Sequence, residues 1–378
     1  MMNQKNRLRK LDFLRGIAII LVLLRHQYLF KYGYTMGWIG VDLFFVLSGF
    51  LVSGLLFKEY IQFGNINVKL FLIRRGFKIY PIYYLIYPLY LIPLFFKNQI
   101  DFEGIFADLF FIQNYVKGWG YAYVASWSLA VEEHFYILFS IILWLVIKFK
   151  LFHSKENLER VGTIQIKIFF FFSFVVCLVL RVYSNLYHPD LIAKNFVMTH
   201  LRIDSLLAGV FIAYLYYFEE KKTKSFFLNY KKKFLFTVIL LLGFTPFLDP
   251  DKSFFVRTFG LTLLYVAFSI VLCYFLFEEK IDSILNSFFS EKIVSLVAMI
   301  GVSSYSIYII HTLVNIAVSY CNVYVFDKQL HQIFIFFLST IASCLGGILM
   351  TKYLESYFLN LREQYFPSRS KQYNKKIL

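Results

Sequence analysis

An arginine and a histidine eleven residues apart, Arg15 and His26, interrupt the first apolar run of this chain. On a helix, eleven steps of about 100° overshoot three full turns by roughly 20°, so both side chains share one face, about 16 Å apart along the axis. An ionisable group within a membrane helix is costly and faces the bundle interior or a wet cavity, which makes both residues functional candidates. The guanidinium offers a phosphate a paired set of donors. The imidazole, with an ordinary pKa of about 6.5, can be neutral and basic at working pH.

Further clusters fall in later apolar runs. Gly40-Val41-Asp42-Leu43-Phe44-Phe45 places an acid at the start of the second run and leads to Ser48-Gly49. Small residues let helices approach closely, so the Ser-Gly step alone is read as packing. Arg74-Arg75-Gly76-Phe77-Lys78 precedes Pro81 at the start of the third run. Clustered cations suit phosphate, and they equally suit a positively charged cytoplasmic anchor. The fourth run opens Ser126-Trp127-Ser128-Leu129-Ala130-Val131-Glu132-Glu133-His134-Phe135-Tyr136. Neighbours on a helix point about 100° apart, so one glutamate is expected to face the site and the other to hold an arginine or histidine of another helix. Arg202 and Asp204 in the sixth run read equally as structural ion-pair members with other helices. Ser303-Ser304-Tyr305-Ser306 leads to His311 in the ninth, where a lone histidine reads more readily as a hydrogen-bonded core residue.

The elements that must carry these residues are membrane helices. Of 378 residues, 59% are hydrophobic and only 16% charged, against about 25% charged in soluble domains. Mean hydropathy is +0.62. The apolar runs near 11–31, 38–57, 77–97, 128–148, 164–184, 196–218, 233–249, 254–277, 293–319 and 332–358 predict an all-α bundle of about ten spans, each needing about 20 mainly apolar residues. The run 105–116 is too short to cross and is expected to be re-entrant or superficial.

The net charge of +16 collects in alternate loops and both ends rather than on one nucleic-acid-binding face. Lys5, Arg7, Arg9 and Lys10 precede the first run, Lys58, Lys69, Arg74 and Arg75 follow the second, and Lys221, Lys222, Lys224, Lys231 and Lys232 lie in 219–232. Arg362, Arg369, Lys371, Lys375 and Lys376 close the chain. This pattern predicts both termini in the cytoplasm; the slightly acidic loop 278–292 fits it least. No signal-peptide pattern stands apart from the first run, which is expected to be an uncleaved anchor. The expected organisation is a transmembrane domain at 1–361 and a basic cytoplasmic tail at 362–378. Cys177, Cys273, Cys321 and Cys344 are scattered through apolar segments and give neither a disulfide framework nor metal-ligand spacing, so no metal is expected.

Taken in order, Arg15-x10-His26, the Gly40–Phe45 motif with Ser48-Gly49, Arg74-Arg75 with Pro81, and Trp127-Ser128-Leu129 with Glu132-Glu133-x-Phe135-Tyr136 resemble the acyltransferase 3 family over essentially the whole chain. The resemblance implies an integral-membrane O-acyltransferase of extracytoplasmic carbohydrate in a bacterial cytoplasmic (inner) membrane. It implies acyl-CoA, chiefly acetyl-CoA, as donor, no permanently bound cofactor, and a lipid-linked or polymeric glycan such as O-antigen, capsule or exopolysaccharide as acceptor. A macrolide or other small molecule remains an alternative acceptor. Arg15, Arg74, Arg75 and Lys78 are then expected to bind acyl-CoA. His26 is expected to be general base or acyl carrier, held by Glu132 or Glu133 at the same membrane depth. Asp42, Ser48, Trp127, Ser128, Tyr136, Arg202, Asp204, Tyr305 and His311 are expected in support.

Two departures stand out: Lys78 replaces a frequent arginine, and the sequence stops soon after the tenth run. The latter is expected to disfavour a peptidoglycan acceptor. A polytopic transporter or flippase is the rival reading; it predicts internal repeats and broken helices in matching positions, and neither is evident in the sequence.

Overall fold

A computed structural model describes residues 4–151, 161–327 and 330–371, except for the side chains of 4–8 and 161–163. The side chains of Lys5 and Arg7, and all of Lys375 and Lys376, lie outside the described residues. Regular structure among the described residues is entirely helical. The chain runs through α1 (Gln4–His26), short α2 (Lys31–Met36), α3 (Ile39–Phe63) and α4 (Val68–Phe96). Short α5 (Phe102–Leu109) and α6 (Gln113–Val116) lead to α7 (Trp127–Lys148), then α8 (Val161–Tyr187), α9 (Ile192–Val197) and α10 (Ile203–Phe218). There follow α11 (Glu220–Leu242), α12 (Leu261–Phe277), α13 (Ile281–Phe288), α14 (Glu291–Val302), α15 (Ser304–Tyr324), α16 (Gln332–Met350) and α17 (Ser356–Tyr365). One π-helical turn, Val256–Gly260, leads into α12 and another, Thr351–Glu355, joins α16 to α17.

Among the described residues, seven helical stretches are long and apolar enough to cross a bilayer: Lys31–Phe63, Val68–Phe96, Val124–Lys148, Ile164–Tyr187, Val256–Phe277, Ser304–Tyr324 and Gln332–Tyr365. An eighth arises if α13 and α14, bent by 111°, count as one. The fold is therefore an all-helical, multi-pass membrane bundle. The difference from the ten expected runs has local causes. Helix α1 carries Lys10, Asp12, Arg15 and Arg25, α10 has only 16 residues, and lysines crowd the first half of α11. The run expected at 293–319 is two helices, α14 and α15, which part at Ser303 (φ −92°, ψ 6°). Gly301, packed against the backbone of Asp12, stands two residues before the break, and Ser303-Ser304 follows it. The run at 105–116 becomes α5 and α6 around Phe111, whose φ is 58°, and neither is long enough to cross. The boundary expected at 361/362 falls inside α17.

Helix α3 is central, with Phe45, Val46, Leu47 and Phe50 almost fully buried. It packs closely on α10 because Gly49 meets the backbone of Leu206 and Gly209 meets that of Val46, where a β-carbon would overlap the neighbouring chain. Two fully buried ion pairs tie the same region together, Asp42–Arg202 at 2.9 Å and Asp204–Arg181 at 2.7 Å. The acidic segment after α12 meets basic groups from other parts of the chain: Glu278 takes Lys231, Glu279 takes Lys224, and Asp282 takes Lys10. Hydrogen bonds from Lys231 and Lys224 hold the Glu278 and Glu279 carboxyls below their usual range. The acids that fitted the charge pattern least are thus partners of its lysines.

Candidate active site

Helices α1, α3, α4, α7 and α15 surround a cavity of about 330 Å³. Arg15, Ser48, Arg75, Lys78, Glu132, Tyr136, Ser304, Tyr305 and Tyr308 supply its polar wall, and Phe44, Leu47, Leu51 and Leu55 much of its apolar wall. Residues from five helices meet here because each helix buries the face bearing its polar group, which would be costly against lipid.

On α7, Glu132 faces the cavity and accepts a hydrogen bond from Tyr136 at 2.6 Å. The Tyr136 hydroxyl lies 2.8 Å from that of Ser48, which joins α7 to α3. Glu133 turns the other way and accepts from Tyr80 of α4 at 2.7 Å. The adjacent glutamates therefore face different neighbours, as their helical spacing requires. His134 also leaves the cavity, with its Nδ1 2.7 Å from the Thr199 hydroxyl.

The basic cluster divides similarly. Arg74 is drawn away by Glu363 at 2.5 Å and donates to the Phe366 carbonyl. It does not line the cavity. This corrects the expectation that Arg74 stands beside Arg75 in one anion site. Lys78 reaches the cavity edge in an ion pair with Glu355, whose other oxygen takes the Ser306 hydroxyl at 3.1 Å. Arg15 has its own partner, Asp12, at 3.5 Å. Arg75 lies over the Tyr136 ring at 5.4 Å and has no hydrogen-bond or ion-pair partner among the described residues. It is the arginine of the cluster left open to a ligand.

His26 sits at the end of α1, one wall beyond the cavity. Its Nδ1 lies 2.9 Å from the Val22 carbonyl. A carbonyl can only accept, so Nδ1 carries a proton, and in the neutral form the lone pair is then at Nε2. The same logic applies to His311, whose Nδ1 lies 2.6 Å from the Tyr308 carbonyl. The two rings meet edge to face with centroids 4.7 Å apart. Neither Glu132 nor Glu133 bonds to His26 among the described residues. His311 takes the place of the expected glutamate partner, while Glu132 bonds to Tyr136 and Glu133 to Tyr80. Tyr308 divides the two regions. It lines the cavity, hydrogen-bonds to Ser128 at 2.7 Å, and sets its ring 5.4 Å from that of His311.

The remaining expected residues take structural positions. Asp42 and Arg202 pair, and Arg202 is stacked among Phe45, Trp127 and Phe196. Asp204 holds Arg181 of α8. Tyr305 donates to the Ile79 carbonyl at 2.6 Å, fixing α15 against α4. Sequence reasoning missed Arg181, Tyr80 and Glu355. Arg181 and Glu355 carried the signal that exposed Arg15, a charge inside an expected apolar run; Tyr80 carried none. No group of His, Cys, Asp and Glu able to hold a metal occurs among the described residues.

Comparison with known proteins decides the family. The profile of the acyltransferase domain, acyltransferase 3, matches residues 8–352. The chain belongs to this acyltransferase family. Relatives of this acyltransferase-family protein include one from Staphylococcus aureus strain MRSA252, provisionally named an O-acetyltransferase, which is 28% identical over 385 aligned residues covering 94% of this chain and 59% of its own. A protein of strain COL with the same provisional name gives the same identity and coverage. The O-acetyltransferase OatA of strain NCTC 8325 / PS 47 is 28% identical over 230 residues, 54% of this chain and 34% of its own. The chain thus spans about three-fifths of the length of the first two and about a third of OatA. No solved structure matches it.

Proposed function

We propose that this acyltransferase-family protein moves an acetyl group from cytoplasmic acetyl-CoA to a hydroxyl of an extracytoplasmic glycan, of the O-antigen, capsule or exopolysaccharide kind. The observation that carries this reading is the continuity from an open guanidinium to a basic nitrogen. Arg75 lines a cavity whose far wall, Tyr308, backs onto the His26–His311 pair. Phosphates of the donor bind at Arg75 with help from Arg15 and Lys78, and the pantetheine arm follows the cavity. Displacement of the Tyr308 ring brings the thioester to His26. Nε2 of His26 takes the proton of the acceptor hydroxyl as oxygen attacks the acyl carbon. The carbon–sulfur bond breaks, and the proton passes to the departing thiolate.

In this reading the protein lies in a bacterial cytoplasmic membrane. Ten crossings place both termini and the lysine-rich 219–232 segment inside. His26 then faces the outer side, where the glycan is met.

Membranes containing the protein, supplied with acetyl-labelled acetyl-CoA, should label envelope glycan. His26→Ala should abolish labelling while the protein still inserts and elutes as a folded species. Labelling that survives in His26→Ala would remove His26 from the reaction.

A further inference from the structure

Beyond His26 the chain does not return at once to the bundle. The segment through α2 exposes Tyr28, Tyr32 and Tyr34, and the segment after α11 exposes Phe247 beside them. Tyr32 and Phe247 meet edge to face at 5.9 Å, and Tyr28 and Tyr34 lie 6.0 Å apart. Charges are woven between the rings. Arg25 lies over Tyr34 at 4.8 Å and bonds to Asp249 at 2.7 Å and to Asp251 at 3.4 Å. Tyr28 is only two residues from His26, no more than about 7 Å of chain.

We propose that this surface is the platform that binds the acceptor glycan. A sugar ring has apolar C–H faces and a rim of hydroxyls. Aromatic rings receive the faces through burial and weak C–H contacts, and carboxylates accept hydrogen bonds from the rim. The patch holds both kinds of group and adjoins the histidine expected to deprotonate a hydroxyl. An aromatic girdle against lipid headgroups also exposes tyrosines. A girdle has no need of carboxylates, whereas Asp249 and Asp251 among these rings supply the acceptors that a hydroxyl rim requires. Asp251, half exposed, meets Arg25 through one oxygen at 3.4 Å and leaves its other oxygen for a hydroxyl. The inference rests on the proposed transfer to a glycan and names where that glycan sits.

The test uses the full chain in detergent, acetyl-labelled acetyl-CoA, and an envelope extract holding polymeric and lipid-linked glycan from a strain lacking the gene. Two readouts run in parallel: label on glycan at sub-saturating extract, and slow CoA release to water without extract. Tyr32→Leu with Phe247→Leu is expected to lower glycan labelling about tenfold, as loss of two stacking contacts would, with CoA release unchanged. Tyr32→Trp with Phe247→Trp is expected to retain labelling. Leucine keeps apolar bulk but offers no ring face to a sugar, so full labelling by the leucine pair overturns the platform. Loss of both readouts in the leucine pair also overturns it, since the rings would then serve the fold or the donor. Wild-type protein that releases CoA yet never labels glycan overturns the underlying transfer reading instead.

Discussion

Position within one helical turn separates residues that look alike in the sequence. Arg74 and Arg75 are adjacent cations, but Arg74 is already held by Glu363 while Arg75 faces the cavity with no hydrogen-bond or ion-pair partner among the described residues. Charge-assisted hydrogen bonds contribute about 1.5–3 kcal/mol. Arg75→Ala should therefore raise the KM for acetyl-CoA by about 10- to 100-fold. Arg74→Ala loses a partly exposed pair and should change it by less than about fivefold. Donor-titration kinetics on the two variants checks the order; a larger effect at Arg74 would relocate the phosphate site. Glu132 and Glu133 divide in the same way, with Glu132 joined to Tyr136 and Ser48 at the cavity and Glu133 to Tyr80.

At the scale of elements, the site depends on α3 standing tightly against α10. Gly209 meets the Val46 backbone with no room for a side chain. Gly209→Leu should cost about 1–3 kcal/mol by overpacking and lower the thermal midpoint of the solubilised protein; an unchanged midpoint would mean that the helices pack less closely. The buried Asp42–Arg202 pair joins the same two helices. Removing one partner leaves an uncompensated buried charge, so Asp42→Leu should cost about 3–5 kcal/mol. Asp42→Leu combined with Arg202→Met should recover much of that loss, because neither charge is then buried alone. A thermal-melt double-mutant cycle measures the difference. The π-helical turn Thr351–Glu355 does comparable work at the other edge of the cavity, setting Glu355 between Lys78 and Ser306.

For the whole molecule, the proposed function implies a vectorial reaction. In the proposed orientation Arg75 belongs to the cytoplasmic end of the path and the aromatic patch beyond His26 to the outer end. A cysteine introduced at Tyr32 should react with a membrane-impermeant maleimide from outside intact cells. A cysteine at Ser370 should react only after the cells are opened, with the natural cysteines replaced in both cases. The reverse pattern would invert the proposed orientation.

Much of the fold and part of the site were legible in the chain itself. A bilayer penalises unpaired polar backbone so heavily that long apolar runs must become helices, and a charge inside such a run must find a partner or a cavity. That reasoning located Arg15, His26, Asp42, Glu132, Glu133, Arg202 and Asp204 before any packing was known. The same penalty applies to Arg181 and Glu355, which also lie inside apolar runs. The break at Ser303 carried only a weak local signal, Gly301 and the Ser303-Ser304 step, because small residues also occur inside packed membrane helices. Which charge met which was decided only in three dimensions. Helical period fixes the direction of a side chain on its own helix, but the partner depends on how helices rotate and cross. Tertiary packing therefore assigned Asp204 to Arg181, Arg74 to Glu363, and His26 to His311 instead of a glutamate.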